Sequence, residues 1–302
     1  MTQKNFMAIG EAMIELAVVG PDTYRRGFAG DTFNTAWYLA KKMPEAWKTS
    51  YFTGLGSDSA SQEMRAFGAA ANIDMSFARD VAGKTVGLYM IHLDNGERSF
   101  SYWRSDSAAR QMAGDQSTLR TAFASADVLF FSGITMAVIL PEHRDTFLAE
   151  LAYARKAGKT IVYDPNQRLR LWTDQAEMVA VNTKAAQVSD IVLPSFDEEQ
   201  LFNGDKTPEA TIARYQSLGV KTVVVKNGAA SVIAQTLGGT PLTIAPNIID
   251  NVVDSTAAGD SFNAGFCASY FTGGTLSDAI KAGASLAGQV VQAHGALVAL
   301  TE

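Results

Sequence analysis

One cysteine, Cys267, stands in a chain of 302 residues. The chain therefore closes no disulfide within itself and offers no thiolate cluster to a metal, which points to a reducing compartment and a cytoplasmic location. Its histidines, His92, His143 and His294, show no metal-ligand spacing. Lysine and arginine number 25 against 31 acidic residues, for a net charge of -6, and they never gather into a run. That excludes the basic face needed for nucleic acid or for anionic lipid. No apolar stretch is long enough to span a bilayer. The N-terminus runs into a short apolar segment ending at Gly10, without the longer apolar core and cleavage site of a secretory signal. Neither the 8 prolines nor the 25 glycines recur at a fixed period, and no low-complexity tract or linker marks a second domain.

What is present is apolar: 47% of residues are hydrophobic and 19% charged, enough for a large core. Strand-length apolar runs recur at Phe6–Ile9, Ser50–Thr53, Val128–Phe131, Thr160–Tyr163, Ile191–Leu193 and Thr222–Val225, with helix-compatible segments between most of them. Runs that are apolar throughout, rather than at alternate positions, belong to a parallel sheet covered on both faces. The expected fold is a doubly wound α/β domain over residues 1–302. Residues 85–104 break the pattern, with two strand-like runs meeting at Asn95-Gly96, the dipeptide of a type I′ hairpin. Counting outward pairs Asp94 with Glu97, Ile91 with Phe100, Tyr89 with Tyr102 and Gly87 with Arg104. Tyr89, Tyr102 and Arg104 then share one face, either as a plain cross-strand aromatic pair or as the inner face of a lid suited to an anionic ligand.

The most informative stretch is Asp254-Ser-Thr-Ala-Ala-Gly-Asp260, a small-residue turn followed by Phe262, Phe266 and Tyr270 at helical spacing. A helix that starts among small residues presents unobstructed amides to an anion, phosphate above all. Capping by Asp254, Ser255 or Thr256 explains one polar residue there, but not Asp260. A carboxylate on that first turn is placed to take the proton of a hydroxyl attacking a phosphoryl group. Other phosphate motifs fail. A Walker loop needs a glycine where Ala78 and Tyr153 precede Gly83-Lys84-Thr85 and Gly158-Lys159-Thr160, and no Gly-x-Gly-x-x-Gly follows the first strand.

These residues resemble the ribokinase-like, or PfkB, carbohydrate kinases. The family pattern Asp-Thr-x-Gly-Ala-Gly-Asp appears with Ser255 for Thr and Ala257 for the first Gly. Ala257 keeps its amide and is expected at negative φ. The N-terminal signature appears as Ala29-Gly30-Asp31-Thr32-Phe33-Asn34-Thr35-Ala36, followed by Gly54-Leu-Gly-Ser-Asp58. Gly30-Asp-Thr-Phe-Asn34, the Tyr89 strand, Tyr102-Trp-Arg104 and Asp164-Pro-Asn-Gln-Arg168 with Leu171-Trp172 look like the branch that phosphorylates the 6-hydroxyl of 2-keto-3-deoxygluconate.

The resemblance implies a ribokinase-like fold, a mostly parallel sheet with helices on both faces and a small β-sheet lid drawn from about residues 11–29 and 84–106. It implies ATP and Mg2+ as cofactors, and Asp260 as catalytic base. Gly30, Asp31, Asn34, Tyr89, Tyr102, Arg104 and Arg168 would hold the sugar, with the two arginines facing its carboxylate. The alternative for Arg168 is a surface ion pair with Asp164 or Asp174. Facing a neutral sugar such as ribose or fructose, both buried cations would lie uncompensated. Ala257, Ala258 and Gly259 would cradle the phosphate, with Ser195, Lys226 and Gly228 along the nucleotide and Glu198 on the magnesium through water. Ser195 could equally cap a helix, and Lys226 could be a solvated strand end. The implied partners are a sugar acid, ATP and a second copy of the chain joined through the lid, with no nucleic acid and no membrane. A non-catalytic sugar-binding protein on the same scaffold is the other reading, and Asp260 argues against it.

Overall fold

Phe6 and Ala8 point into one core, and Met7 and Ile9 into another on the opposite side of the same strand. That single strand shows why its run is apolar throughout: both of its faces are covered. The computed structural model describes residues 3–20, 22–94 and 97–300. Its main sheet runs β14 (Leu242–Ile244), β13 (Val232–Thr236), β12 (Thr222–Val225), β11 (Ile191–Val192), β10 (Thr160–Asp164), β9 (Val128–Ser132), β1 (Lys4–Ile9), β4 (Trp47–Leu55) and β5 (Ile73–Asp74), with β6 (Ala78–Asp80) also on β4. From β12 to β5 all neighbours are parallel, whereas β13 and β14 add an antiparallel edge. All six strand-length runs are strands of this sheet. The antiparallel edge is an addition that the sequence reading did not contain.

Helices cover both faces. One core packs α1 (Asp31–Lys42), α2 (Ser59–Ala70), α9 (Ala258–Phe271) and α10 (Leu276–Val290) against Phe6, Tyr51, Phe130 and Val224. The other packs α3 (Gln116–Ala124), α4 (Gly133–Val138), α5 (Pro141–Lys156), α6 (Gln175–Gln187) and α8 (Pro208–Ser217) against Phe52, Phe131, Tyr163 and Val223. The short helix α7 (Phe196–Asn203) follows β11. Among the described residues no helix is long and apolar enough to cross a membrane.

A second, four-stranded sheet, in the order β3 (Thr23–Ala29), β2 (Met13–Gly20), β7 (Gly87–Asp94), β8 (Glu97–Trp103), forms the lid. The hairpin register is the one counted from the sequence: Asp94 faces Glu97, Ile91 faces Phe100 and Tyr89 faces Tyr102. A Cβ on Gly87 would lie 3.2 Å from Cβ of Arg104, which puts that pair side by side as well. The turn dipeptide Asn95-Gly96 lies outside the described residues. Met13, Tyr89, Ile91 and Ala29 pack on the inner face of the lid against Ala296 of the body.

Candidate active site

The parallel strands all point their C-terminal ends at one edge of the sheet, and in an open α/β fold that edge is where ligands bind. A cavity of about 390 Å3 opens there, between the sheet edge, the N-termini of α1 and α9, and the inner face of the lid. Gly30, Asp31, Asn34, Tyr89, Tyr102, Arg104, Arg168, Ser195, Glu198, Lys226, Ala257, Ala258, Gly259 and Asp260 all line it. Gly228 does not: it sits at φ 55° in an exposed turn beyond β12.

Helix α1 starts at Asp31, directly after Gly30, where the chain passes tightly against the Glu11–Ala12 segment. A Cβ on Gly30 would lie 2.1 Å from the Glu11 carbonyl oxygen, so only glycine fits between the two segments. One turn later Asn34 Nδ2 donates to Asp260 Oδ2 at 2.8 Å, and Thr35 Oγ1 donates to the Asp260 carbonyl at 3.2 Å. Two hydrogen bonds thus lock the start of α1 against the start of α9. Asp260 is pushed up to about 8, first by burial and then by the nearby Asp31 and Asp164 carboxylates, with Asn34 and Lys226 opposing. Burial raises Asp31 as well. A carboxyl whose ionisation falls near neutral pH both accepts and returns a proton, which is what a general base requires.

The turn into α9 corrects the expectation for Ala257, which adopts φ 60° and ψ 16°, in the left-handed region. Among the described residues the other non-glycine positions there are Asp22, Asn72 and Asn166, whose side chains tolerate it, whereas alanine carries the Cβ clash without compensation. Asp254 shapes this turn, accepting from Thr256 N at 3.0 Å and from Gly295 N at 2.7 Å. No side chain caps α9, and the Gly259 and Asp260 amides find no acceptor among the described residues. Relief of the left-handed strain, about 1–2 kcal/mol, outweighs the extra unfolded-state entropy of glycine, about 0.5–1 kcal/mol. Ala257→Gly is therefore expected to stabilise the protein by about 0.5–1 kcal/mol. Thermal unfolding reads it; an unchanged or lower Tm would mean that the turn relaxes around the alanine.

Lys226 is no solvated strand end. It is 8% exposed, and its Nζ donates to Asp164 Oδ2 at 3.0 Å and to Asn263 Oδ1 at 3.2 Å. A Cβ on Gly259 would stand 3.6 Å from that ammonium, so the lysine adds positive charge beside the open amides of α9. Ser195 precedes α7 without a side-chain cap bond. The Glu198 carboxylate instead reaches the Gln167 amide at 2.8 Å and the Arg168 guanidinium.

Arg168 and Arg104 also differ from expectation. Arg168 pairs with Glu198 rather than with Asp164 or Asp174, and Arg104 pairs with Glu11, a fully buried carboxylate that Ser107 also contacts. Neither guanidinium would be uncompensated beside a neutral sugar, because each brings its own anion. On the lid, Tyr89 stacks on Tyr102 with centroids 5.8 Å apart, and its phenol bonds Glu15. Both readings of that pair hold together: the rings are cross-strand partners, and they line the cavity.

Glu11 and Arg170 also line the cavity and were not singled out from the sequence, and Asp164 and Asn166, which line it too, entered there only within the Asp164–Arg168 motif and without a role of their own. Asp164 and Glu11 carried a signal, since each stands at or just beyond the C-terminal end of a parallel strand. Among the described residues no group of acids, histidines or cysteines is arranged to hold a metal ion by itself.

The chain is 39% identical over 302 residues to the 2-dehydro-3-deoxygluconokinase of Escherichia coli (strain K12), covering 98% of this chain and 97% of that protein. It is 36% identical over 306 residues to the 2-dehydro-3-deoxygluconokinase of Dickeya dadantii (strain 3937), covering 99% and 98%. Among solved structures, the PfkB protein from Polaromonas sp. JS666 superposes with a TM-score of 0.84 at 28% identity, covering 96% of each chain. Residues 3–302 match the pfkB family carbohydrate kinases, and the chain belongs to that family.

Proposed function

We propose that the chain transfers the γ-phosphoryl group of ATP to the 6-hydroxyl of 2-dehydro-3-deoxy-D-gluconate, giving the 6-phosphate and ADP, with residues 1–302 acting as one kinase domain in the cytoplasm. The observation that carries this reading is Asp260, a carboxylate pushed up to about 8, on the first turn of α9 beside open amides and in the same cavity as a wall of arginines. The two relatives named for that activity share more than a third of their residues with the chain over nearly its whole length.

In this reading the amides from Ala257 to Asp260 and the Lys226 ammonium receive the transferring phosphoryl group, whose developing charge they offset. Asp260 takes the proton of the 6-hydroxyl as its oxygen bonds to phosphorus and the bond to ADP breaks. Asn34 holds that carboxylate in register. Glu198 would hold a Mg2+ through water, and the ion would supply positive charge that offsets the phosphates. Gly30, Asp31 and Asn34 bind the hydroxyl end of the sugar, and the lid tyrosines with Arg104 and Arg168 close over its acid end. Lid closure excludes water, which would otherwise compete for the phosphoryl group.

A homodimer joined through the lid belongs to the same reading. Val19 and Trp103 leave 60% and 57% of their surfaces exposed on the lid sheet, whose outer strands have unpaired edges. Sedimentation velocity reads the dimer directly, and a monomer at micromolar concentration would remove it.

The test is ADP release from magnesium-ATP with 2-dehydro-3-deoxygluconate, ribose, fructose or no sugar at equal concentrations. Turnover confined to the sugar acid is expected. Turnover with a neutral sugar alone would keep Asp260 and the amide cradle but discard the substrate, and no turnover with any sugar would leave a sugar-binding protein.

A further inference from the structure

After α10 the chain forms no further helix or strand among the described residues, yet Gly295 and Ala296 lie where the lid meets the phosphate turn. Gly295 N donates to Asp254 Oδ2 at 2.7 Å. The other oxygen of that carboxylate accepts from Thr256 N at 3.0 Å, one residue before the left-handed Ala257. Ala296 is buried in one apolar cluster with Met13, Tyr89 and Ile91 of the lid, and Ala257 of the phosphate turn packs against the same cluster. The segment after α10 is therefore a strap that runs against the lid and against the base of the amide cradle.

A strap with no ladder of its own depends on side chains to satisfy its backbone. Among the described residues three hydrogen bonds hold residues 295–298, one to Asp254 and two to Tyr38. Tyr38 Oη donates to the Ala296 carbonyl at 2.8 Å and accepts from Val298 N at 3.0 Å, across 258 and 260 residues of chain. The phenol is fully buried on α1 and lies outside the cavity lining. Burial pushes it up to about 12, with the Val298 amide opposing, so it keeps the proton that it donates. Tyr38 stands four residues after Asn34 and three after Thr35, the two residues that hold Asp260, and such spacings share a helix face. One face of α1 thus grips the start of α9 and the strap together.

We propose that Tyr38 is a positioning residue for phosphoryl transfer: by pinning residues 295–298, its phenol fixes the turn from Asp254 to Ala257 that aims the amides of α9. The route runs from Tyr38 to the Ala296 carbonyl, from Gly295 N to the Asp254 carboxylate, and from that carboxylate to Thr256 N. Donors aimed at developing charge act in the transition state, and a misplacement of about 1 Å from a distant substitution costs about 100-fold in rate. This inference rests on the kinase reading above.

The test compares wild type, Tyr38→Phe and Ile212→Val, a control that removes one methyl group from the core on the other side of the sheet. Phenylalanine keeps the ring and leaves the Ala296 carbonyl and the Val298 amide without their partner. Hydrogen exchange read by mass spectrometry on the free protein follows the strap and the turn directly. In Tyr38→Phe the peptides covering residues 291–300 and 254–261 are expected to exchange about tenfold faster, while those of β9 and α5 stay as in wild type and show that the variant is folded. With magnesium-ATP and 2-dehydro-3-deoxygluconate, kcat should fall by about tenfold or more and KM for the sugar stay within about threefold. Ile212→Val lowers Tm and moves neither readout. Fast exchange confined to residues 291–300 overturns the inference, because the strap would then be loose without moving the turn. An unchanged kcat in Tyr38→Phe, beside an active wild type, overturns it as well, whatever KM does. Equal changes in Ile212→Val would reduce Tyr38 to an ordinary core residue and overturn it too. Wild type idle on every sugar overturns the kinase reading and this inference with it.

Discussion

Asp260→Asn is expected to lower kcat by about 10³-fold, the contribution of a positioned general base, while making the protein more stable at alkaline pH. Both effects follow from one carboxyl group. In the unfolded chain it ionises near its ordinary value of 3.8, and in the folded protein only near 8. Between those limits the folded state holds a proton that the unfolded chain has released, so stability falls as pH rises through the window and levels off above it. Asparagine does not ionise, and its carbonyl still accepts the hydrogen bond from Asn34. The variant should therefore match wild type below about pH 4 and exceed it above about pH 8, by at least about 1 kcal/mol or roughly 2–4 °C in Tm. Turnover and calorimetry across pH read the two effects separately. Intact turnover would end the base assignment, and equal Tm values at alkaline pH would mean that the carboxylate is well solvated. The same group sets the acid limb of kcat/KM, which should rise with pH up to about 8 and then level.

Removing the Lys226 ammonium has the largest expected effect on stability. Lys226→Met keeps the apolar stem but leaves Asp164 buried with no cation, and breaking a buried pair from one side costs about 3–5 kcal/mol. Asn263 still donates to Asp164 Oδ2 at 2.6 Å, so the carboxylate stays hydrogen-bonded while losing its counter-charge. Lys226 is also one of the groups holding Asp260 down, so its loss should move the acid limb of kcat/KM to higher pH. Adding Asp164→Asn removes the orphaned charge, and the double variant should recover most of the lost stability. A double-mutant cycle in denaturant measures that coupling. A single-variant loss below about 1 kcal/mol would mean that water reaches the pair.

The parts of the molecule legible in the sequence are those governed by neighbours along the chain. The run Val128–Phe131 reads as a strand because both faces are buried, so every one of its side chains is apolar. Strand β13, next to the edge strand β14, alternates buried and half-buried residues before the exposed Thr236, and its pattern is correspondingly weak. The hairpin register could be counted because a two-residue turn leaves one pairing open. Ala257 misled because nothing local sends an alanine to positive φ. The turn is imposed by Asp254, which ties Thr256 to Gly295.

Sequence alone determined the alternation of strands and helices, the lid pairing and the small-residue turn that ends at Asp260, since each depends on local periodicity or on residue shape. Which charge neutralises which was decided only by the tertiary structure. Asn34 meets Asp260 across 226 residues, and Lys226 meets Asp164 across 62. These meetings depend on the order of the strands in the sheet, which sets their C-terminal ends side by side. Glu11 and Glu198 likewise pair with Arg104 and Arg168.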